Sequence, residues 1–422
     1  MPGCHNQTGS RGKLGVLSCK SGEPFGEALL QSLEKRFEKE GCQNGGPIKI
    51  PAKETHFGNT EVKVEIGNVR GYDLYVVQSL ESGDHPDAKF TDHLPLRDVE
   101  LPFTLPEDID LDTLVAVNRP FSVDENLRAL LSTLDAAKRC NAHYTTAVIP
   151  VFSYARQDKA LSREGITASR VAEEIEGHGA DCVFTLDIHN RAIQGFFRRA
   201  PLENLHASKL LIAYVQDHLN RENLVVVSPD EGGIARANYF AKRLGRHLAM
   251  GYKRRDYTQA SKVEEFRILG DVVRRHRTLE EQIEAIRCLI EEGATGVSPE
   301  EALKKVGEIL ELKAEGLDVL FVDDMIATAG SLVSGVTKVR ELGAKSVWFA
   351  TALPLFTYPA VERIDKLYEE GLIQGVVGTN AVYHSDKFKE AHPWYHEVRV
   401  EQLFADAIYN MNHYLSISKL LE

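Results

Sequence analysis

Two adjacent carboxylates, Asp323 and Asp324, are the residues whose position most clearly suggests chemistry. They follow the apolar run 319–322, which is typical of a strand buried in a parallel sheet. Next comes a loop of small residues that leads into a helical pattern and consists of Thr328, Ala329, Gly330 and Ser331. Backbone N–H groups at such a helix start bind phosphate, and carboxylates accept hydrogen bonds from hydroxyls. The pattern predicts a sugar-phosphate site, although paired acids also end strands as solvated residues or as metal ligands.

A second group of residues concentrates positive charge in an otherwise acidic chain. Arg156, Lys159 and Arg163 follow the predicted strand 145–152, in the position where α/β folds bind ligands. Their guanidinium and ammonium groups suit a polyphosphate. A solvated loop is the alternative interpretation of this cluster. The same alternative applies to residues 253–255, Lys-Arg-Arg, which end another predicted strand.

The amino-acid sequences of these segments resemble those of the ribose-phosphate pyrophosphokinase (PRPP synthetase) family. The loop after Asp324 is similar to the ribose 5-phosphate loop shared by that family and the phosphoribosyltransferases. The string 154–159, Tyr-Ala-Arg-Gln-Asp-Lys, is similar to the family's ATP loop. Further motifs occur in the family's order: Phe-x-Asn-x-Glu at 57–61, Asp-Ile-His at 187–189, Ser-Pro-Asp-Glu-Gly-Gly at 228–233 and Lys-Arg-Arg at 253–255. The resemblance covers most of residues 14–80, 119–274 and 317–422.

This resemblance implies a reaction and a set of site residues. The reaction is transfer of the diphosphoryl group of MgATP to the 1-hydroxyl of ribose 5-phosphate, giving PRPP and AMP. Lys253 and Arg255 are implied to be catalytic, and Mg²⁺ is the implied cofactor, organised by His189 and Asp230. ATP binding is implied for Phe57, Asn59, Glu61, Arg156, Gln157, Asp158, Lys159, Arg163 and His189. Ribose 5-phosphate binding is implied for Asp230, Asp323, Asp324, Thr328, Ala329, Gly330 and Ser331. Residues 57–61 match a segment that reaches a neighbouring subunit's adenine pocket, so the resemblance implies a homo-oligomer, a dimer or hexamer.

Three departures from the family pattern keep other functions open. Ala327 stands where the family loop usually carries a third acid, and insertions occur at about 82–118 and about 275–316. These features favour, as the alternative, a catalytically weak or inactive regulatory homologue. A phosphoribosyltransferase is a further alternative, but that class has no need of the second nucleotide site suggested by residues 156–158 and 187–189.

The elements that must position these residues repeat in the two halves of the chain. A buried strand, a carboxylate and a helix start with small residues recur, which predicts two similar α/β domains. With the resemblance, we expect two phosphoribosyltransferase-like domains, each a mainly parallel sheet flanked by helices. The expected organisation is a disordered tail at 1–12, an N-terminal domain with the ATP side at 13–203, a C-terminal domain with the ribose 5-phosphate loop at 204–400, and a terminal helix at 401–422. The insertion at about 82–118 is expected to be a surface loop, and that at about 275–316 a helical hairpin.

Composition sets the remaining limits. With 422 residues, 43% of them hydrophobic and 27% charged, the chain fits a globular protein of two or three domains. A net charge of −12 argues against a nucleic-acid partner. No apolar run approaches membrane-spanning length and no leader pattern opens the sequence, so we expect a cytoplasmic protein without a membrane partner. The six cysteines lack metal-site spacing, which favours reduced, structural thiols.

Overall fold

Buried strands alternate with helices along most of the chain. The computed structural model describes residues 10–41, 46–81, 89–95, 114–160, 162–219, 222–255, 263–270 and 314–421. The chain divides into two compact units. The first unit consists of Met1–His206, Asn380–Asp386 and Arg399–Glu422, and the second of Ala207–Thr379 and Lys387–Val398.

The first unit is built on a parallel sheet. Within the described residues its strands are β1 (Lys13–Ser18), β2 (Ile48–Lys49), β5 (Tyr72–Val77), β8 (Tyr144–Ile149), β9 (Cys182–Leu186) and β10 (Leu202–Leu205). They pair in the order β10-β9-β8-β5-β1-β2, and every pair is parallel. The helices of this unit are α1 (Glu23–Lys39), α2 (Val123–Arg139), α3 (Thr167–Gly177) and α9 (Glu401–Asn412). The central strand β5 contains a continuous buried apolar run, Leu74 to Val77, as is typical of a parallel sheet whose faces are covered by helices.

Two antiparallel ribbons accompany this sheet. One pairs β3 (Ala52–His56) with β4 (Val62–Ile66), and the other pairs β6 (Lys89–Pro95) with β7 (Leu114–Pro120). The second ribbon shows that the insertion expected at about 82–118 contains paired strands, which its weak periodicity did not predict. Strand β6 carries few apolar residues, so its structure depends on pairing with β7, which the local pattern of β6 does not reveal.

The second unit contains a larger, mainly parallel sheet. Within the described residues its strands are β11 (Leu224–Ser228), β12 (His247–Arg255), β13 (Val263–Gly270), β14 (Asp318–Ile326), β15 (Ser346–Pro354), β16 (Gly375–Thr379) and β17 (Tyr395–Val398). They pair in the order β13-β12-β11-β14-β15-β16-β17, and among these pairs only β12 with β13 is antiparallel. The helices that the structure describes in this unit are α4 (Ser208–His218), α5 (Ile234–Leu244), α6 (Gly330–Glu341) and α7 (Ala360–Glu369). Helix α8 (Asp386–Ala391) spans the boundary between the units.

Strand β14 is the centre of the second sheet, between β11 and β15. Val319, Leu320 and Phe321 are fully buried in it. Helix α6 packs closely on this strand at Gly335, where an added Cβ would lie 2.9 Å from the Phe321 ring. The strand is therefore held by β11 and β15 along its two edges and by α6 on one face.

Several sequence predictions can be compared with these elements. The two mainly parallel sheets flanked by helices are as predicted. Helix α2 begins with a capping box between Ser122 and Glu125. The terminal helix is shorter than predicted: it ends at Asn412 because Tyr414 adopts a left-handed φ of 55°, and a 3₁₀ turn at Ser418–Leu420 follows. Within the expected disordered tail, Arg11 donates its backbone N–H to the Asn412 carbonyl and lies over the Tyr144 ring. The helical hairpin predicted at about 275–316 lies almost wholly outside the described residues.

Candidate active site

The paired carboxylates lie at the carboxyl end of β14. The sequence predicted Asp323 and Asp324 just beyond the strand, but β14 continues to Ile326 because its pairing with β15 extends to Pro354. The backbone N–H of Asp324 donates to Asp323 Oδ1 at 2.9 Å, which holds the Asp323 carboxylate against the backbone of its neighbour. Asp324 is buried and Asp323 is half-buried.

Asp230 joins the pair from the neighbouring strand. It follows β11, which runs parallel to β14, so both carboxyl ends meet at the same edge of the sheet. Its Oδ1 accepts the N–H of Gly233 at 3.0 Å, and its carbonyl accepts the Ser228 hydroxyl at 2.7 Å. Burial, the charge of Asp324 and its hydrogen bond, and then the charge of Asp230 raise the pKa of Asp323 well above its ordinary value.

One arginine that the motif comparison did not single out lies beside these acids. Arg236, in the first turn of α5, has its Nη1 3.9 Å from Asp324 Oδ1. Both side chains are largely buried, so the interaction is weakly screened by solvent. The sequence shows a basic residue in the first turn of the helix after Asp230. Its proximity to Asp324 could not be predicted without knowing that β11 and β14 are neighbours.

The predicted phosphate loop begins helix α6 in the same unit. Ala329 is buried and adopts a left-handed conformation, with φ of 57° and ψ of 15°, and α6 starts at Gly330 without a side-chain cap. A left-handed residue beside a helical one turns successive backbone N–H groups toward a common point, an arrangement that binds anions. Thr328 and Gly330 are exposed and Ser331 is half-buried. The loop is thus suited to a phosphate group close to the acids at the end of β14.

The predicted catalytic cations lie on β12, next to β11 in the same sheet. Lys253 pairs with Phe266 of β13, and the register shifts between Arg254 and Arg255. The side chains of Lys253 and Arg255 lie outside the described part of the structure. Their backbone positions put both residues at the carboxyl end of a strand adjoining the one that precedes Asp230.

In the first unit, the predicted ATP loop follows β8. Its cations Arg156, Lys159 and Arg163 are all exposed. Two side chains of the loop are held in place: Gln157 Oε1 accepts the Thr167 hydroxyl at 2.5 Å, and Asp158 Oδ2 accepts the Asn190 amide.

The Asn190 contact brings two predicted segments together. Asn190 follows the exposed His189 after β9, and β9 pairs with β8 in parallel, so the loops after both strands lie at one edge. The sequence did not predict a role for Asn190, because its partner Asp158 is 32 positions away in the chain. Behind His189, the carboxylate of Asp187 is buried, with His206 Nδ1 2.9 Å from its Oδ1.

The remaining predicted residues form the tip of the β3–β4 hairpin. The N–H of Phe57 donates to the Glu61 carbonyl at 2.9 Å, and the N–H of Glu61 lies 3.3 Å from Asn59 Oδ1. These bonds order the turn, yet the side chains of all three residues are exposed, with 44% of Phe57 accessible.

Among the residues that the structure describes, no group of three or more His, Cys, Asp or Glu side chains could hold a metal ion. Over the same residues, no helix combines the length and apolar character needed to cross a membrane. Cys19, Cys140 and Cys182 are not in disulfide bonds.

Comparison with known proteins agrees with the motifs. Residues 16–179 match the N-terminal domain of ribose phosphate pyrophosphokinase, and residues 198–370 match the phosphoribosyl transferase domain. A ribose-phosphate pyrophosphokinase of Porphyromonas gingivalis is 31% identical over 324 residues, covering 76% of this chain and 87% of the relative. One of Helicobacter hepaticus is 34% identical over 298 residues, covering 70% and 79%.

A solved structure agrees at the level of the fold. The crystal structure of phosphoribosylpyrophosphate synthetase from Mycobacterium smegmatis matches with a TM-score of 0.65 at 24% identity, covering 94% of this chain and 98% of that one. The predicted fold of two phosphoribosyltransferase-like domains is therefore confirmed. Together with the identity to the two relatives, these matches show that the chain belongs to the ribose-phosphate pyrophosphokinase family.

Proposed function

We propose that this protein is a ribose-phosphate diphosphokinase, which transfers the β,γ-diphosphoryl group of ATP to the 1-hydroxyl of ribose 5-phosphate. The bond between the α-phosphate oxygen and Pβ breaks, a bond from the sugar oxygen to Pβ forms, and AMP leaves. The observation that carries the proposal is the acid cluster of Asp230, Asp323 and Asp324 at the sheet edge where the loop 328–331 begins α6. Vicinal hydroxyls and a terminal phosphate are the two features of a sugar phosphate that such groups recognise.

In this proposal the second unit holds the sugar phosphate. Asp323 and Asp324 accept hydrogen bonds from the sugar hydroxyls, and Arg236 offsets part of their charge when the sugar is absent. The 5-phosphate binds the backbone N–H groups of the loop formed by Thr328, Ala329, Gly330 and Ser331. With the phosphate and the hydroxyls both held, the 1-hydroxyl is oriented for transfer, which is the main contribution that positioning makes to phosphoryl chemistry.

The first unit is assigned to the nucleotide. Arg156, Lys159 and Arg163 supply exposed cations for the polyphosphate, and Gln157 and Asp158 hold their loop through Thr167 and Asn190. Phe57, Asn59 and Glu61 are assigned to the adenine end of a neighbouring subunit's site, which requires a homo-oligomer, a dimer or hexamer. The exposed side chain of Phe57 is accessible for this contact.

Magnesium binding is assigned to Asp230 in the second unit and to His189 in the first. Mg²⁺ usually binds through one or two carboxylates together with substrate phosphates and water, so a carboxylate such as Asp230 suits it better than the exposed imidazole. Bound with ATP, Mg²⁺ would neutralise charge on the transferring group. Lys253 and Arg255 are assigned the same task from the end of β12. The cytoplasmic location expected from the sequence stays a prediction.

The test of this function is AMP release from ATP, measured with and without ribose 5-phosphate and with and without Mg²⁺. We expect AMP only when all three are present. Ala327→Asp, which restores the acid usual in the family loop, should change kcat/KM without changing the products. The proposal fails if wild type binds ribose 5-phosphate without transfer while Ala327→Asp is active. That result would favour the regulatory homologue, an alternative not favoured by the two relatives, which are both named as the enzyme.

A further inference from the structure

The guanidinium of Arg363 reaches from α7 to the loop that precedes α6. Its Nη1 donates a hydrogen bond to the backbone carbonyl of Thr328 at 2.8 Å. A Cβ added to Gly330 would lie 3.9 Å from this Nη1 and 3.9 Å from Thr328 Oγ1, so both polar groups border the same side of the loop. All three residues belong to the second unit. Arg363 belongs to none of the motifs and lies 35 positions from Thr328 in sequence.

This hydrogen bond fixes the direction of one peptide group in the phosphate loop. In a trans peptide, the carbonyl and the following N–H point in opposite directions. Because the carbonyl of Thr328 points toward Arg363, the N–H of Ala329 points toward the opposite side. With Ala329 left-handed and Gly330 at the helix start, that N–H contributes to an anion-binding arrangement of backbone donors.

The loop conformation needs such support. The left-handed region is unfavourable for a residue with a Cβ, and Ala329 occupies it. On one side, the carbonyl of Ala329 is held by the N–H of Val333 at 2.9 Å. On the other side, Arg363 holds the preceding carbonyl, and its charge adds to the attraction of the loop for an anion.

We propose that Arg363 is a positioning residue for the 5-phosphate of ribose 5-phosphate. It holds the peptide between Thr328 and Ala329 so that the loop's N–H groups face the phosphate. The inference rests on the proposed function of this loop and deepens it. It assigns Arg363 to binding of the sugar phosphate and not to the transfer step, so KM for ribose 5-phosphate and kcat must respond differently.

The kinetic test compares Arg363→Ala and Arg363→Lys with Lys366→Ala. Lys366 is a matched control, since it is exposed on the same helix and its ion pair with Glu370 is 4.0 Å long. Arg363→Ala should raise KM for ribose 5-phosphate about tenfold, the size expected for one charge-assisted hydrogen bond. Its kcat and its KM for ATP should stay near wild type. Arg363→Lys should recover part of the loss, and Lys366→Ala should behave as wild type.

A binding test separates this inference from the proposed reaction. Ribose 5-phosphate, and inorganic phosphate as a simpler probe, are titrated calorimetrically into each protein without ATP. Binding by wild type that weakens about tenfold in Arg363→Ala supports the inference even if no PRPP is formed. ATP is titrated separately into the same proteins. Equal binding of ribose 5-phosphate by both proteins would overturn the inference, as would equal losses of affinity for ribose 5-phosphate and ATP. If circular dichroism shows that the alanine variant is unfolded, Arg363→Gln takes its place and must show the same selective loss.

Discussion

Arg236 Nη1 lies 3.9 Å from Asp324 Oδ1, so a cation stands beside the acid pair that ends the central strand of the second sheet. The arginine compensates only part of the local charge, because burial and the neighbouring charges of Asp324 and Asp230 still raise the pKa of Asp323. The protein thus keeps like charges close together at the edge where ribose 5-phosphate is proposed to bind. Such an arrangement is unfavourable for stability and is typical of functional sites.

The first prediction concerns Asp323→Asn. A raised carboxyl pKa means that the folded protein keeps a proton that the unfolded chain has lost. Folding stability therefore falls as pH rises from about 4, the ordinary carboxyl range, through the raised pKa of Asp323. The amide introduced by the substitution does not titrate, so thermal unfolding of the unliganded variant should depend less on pH, while its ribose 5-phosphate-dependent activity is lost.

The control for this measurement is Glu65→Gln, which removes an exposed carboxylate that is ion-paired to Lys63 on β4. The hydrogen bond and charge of Lys63 lower the pKa of Glu65. Glu65→Gln should therefore not reproduce the weaker pH dependence of unfolding expected for Asp323→Asn. Identical pH dependence of thermal unfolding for wild type and Asp323→Asn would show that the pKa of Asp323 is not raised in the folded protein.

The second prediction concerns Arg340→Lys in the second unit. The Arg340 guanidinium is half-buried, and its hydrogen-bond partners among the described residues are neutral oxygens: the carbonyls of Leu372, Ala344, Lys345 and Gly371 and the side chain of Gln374. A lysine ammonium cannot reach this fork of acceptors. The unfolding free energy in denaturant should fall by about 1–3 kcal/mol, whereas Lys366→Ala should change it little. An unfolding free energy of Arg340→Lys equal to that of wild type would contradict this prediction.

The third prediction concerns the two cations of β12. Lys253→Ala and Arg255→Ala should each lower kcat by roughly 10²-fold or more while changing KM for ribose 5-phosphate far less, because their charge acts on the transferring group. Arg254→Ala, which removes the neighbouring cation between them, is the control, since Arg254 is not among the implied catalytic residues. Near-normal kcat in both variants would remove Lys253 and Arg255 from the mechanism.

The fourth prediction concerns Phe57 at the hairpin tip. Because 44% of the side chain is exposed, Phe57→Ala should leave the thermal stability of the unit unchanged. It should raise KM for ATP and leave KM for ribose 5-phosphate near wild type. Ile48→Ala, which truncates another exposed apolar residue of the first unit, should alter neither constant. Light scattering on the same samples should show at least a dimer, and a fully active monomer would contradict the assignment.

Sequence patterns predicted the fold well where the pattern is local. Buried parallel strands are continuous apolar runs, so residues 319–322 were enough to predict β14. Strand β17, Tyr-His-Glu-Val, lacks such a run and was missed, because its pairing with β16 stabilises it. The length of β14 was also missed, since it depends on how far β15 extends beside it.

The same distinction applies to the candidate site. Contiguous motifs identified the loop 328–331, Asp230 and the segment 156–159 from their spelling. Asn190, Arg236 and Arg363 could not be found in this way, because each contacts a predicted site residue that is distant in sequence. Their proximity comes from neighbouring strands and from the packing of helices on the sheet, which single-sequence patterns do not contain.

The most direct measurement follows the phosphorus atoms of ATP by ³¹P NMR in the presence of Mg²⁺ and ribose 5-phosphate. The proposed function predicts that AMP appears together with an equal amount of a diphosphate ester on the sugar, with both the β and γ phosphorus retained in it. Omitting ribose 5-phosphate should abolish both signals. Formation of ADP with a sugar monophosphate ester, or release of free pyrophosphate without sugar-bound product, would contradict diphosphoryl transfer by this protein.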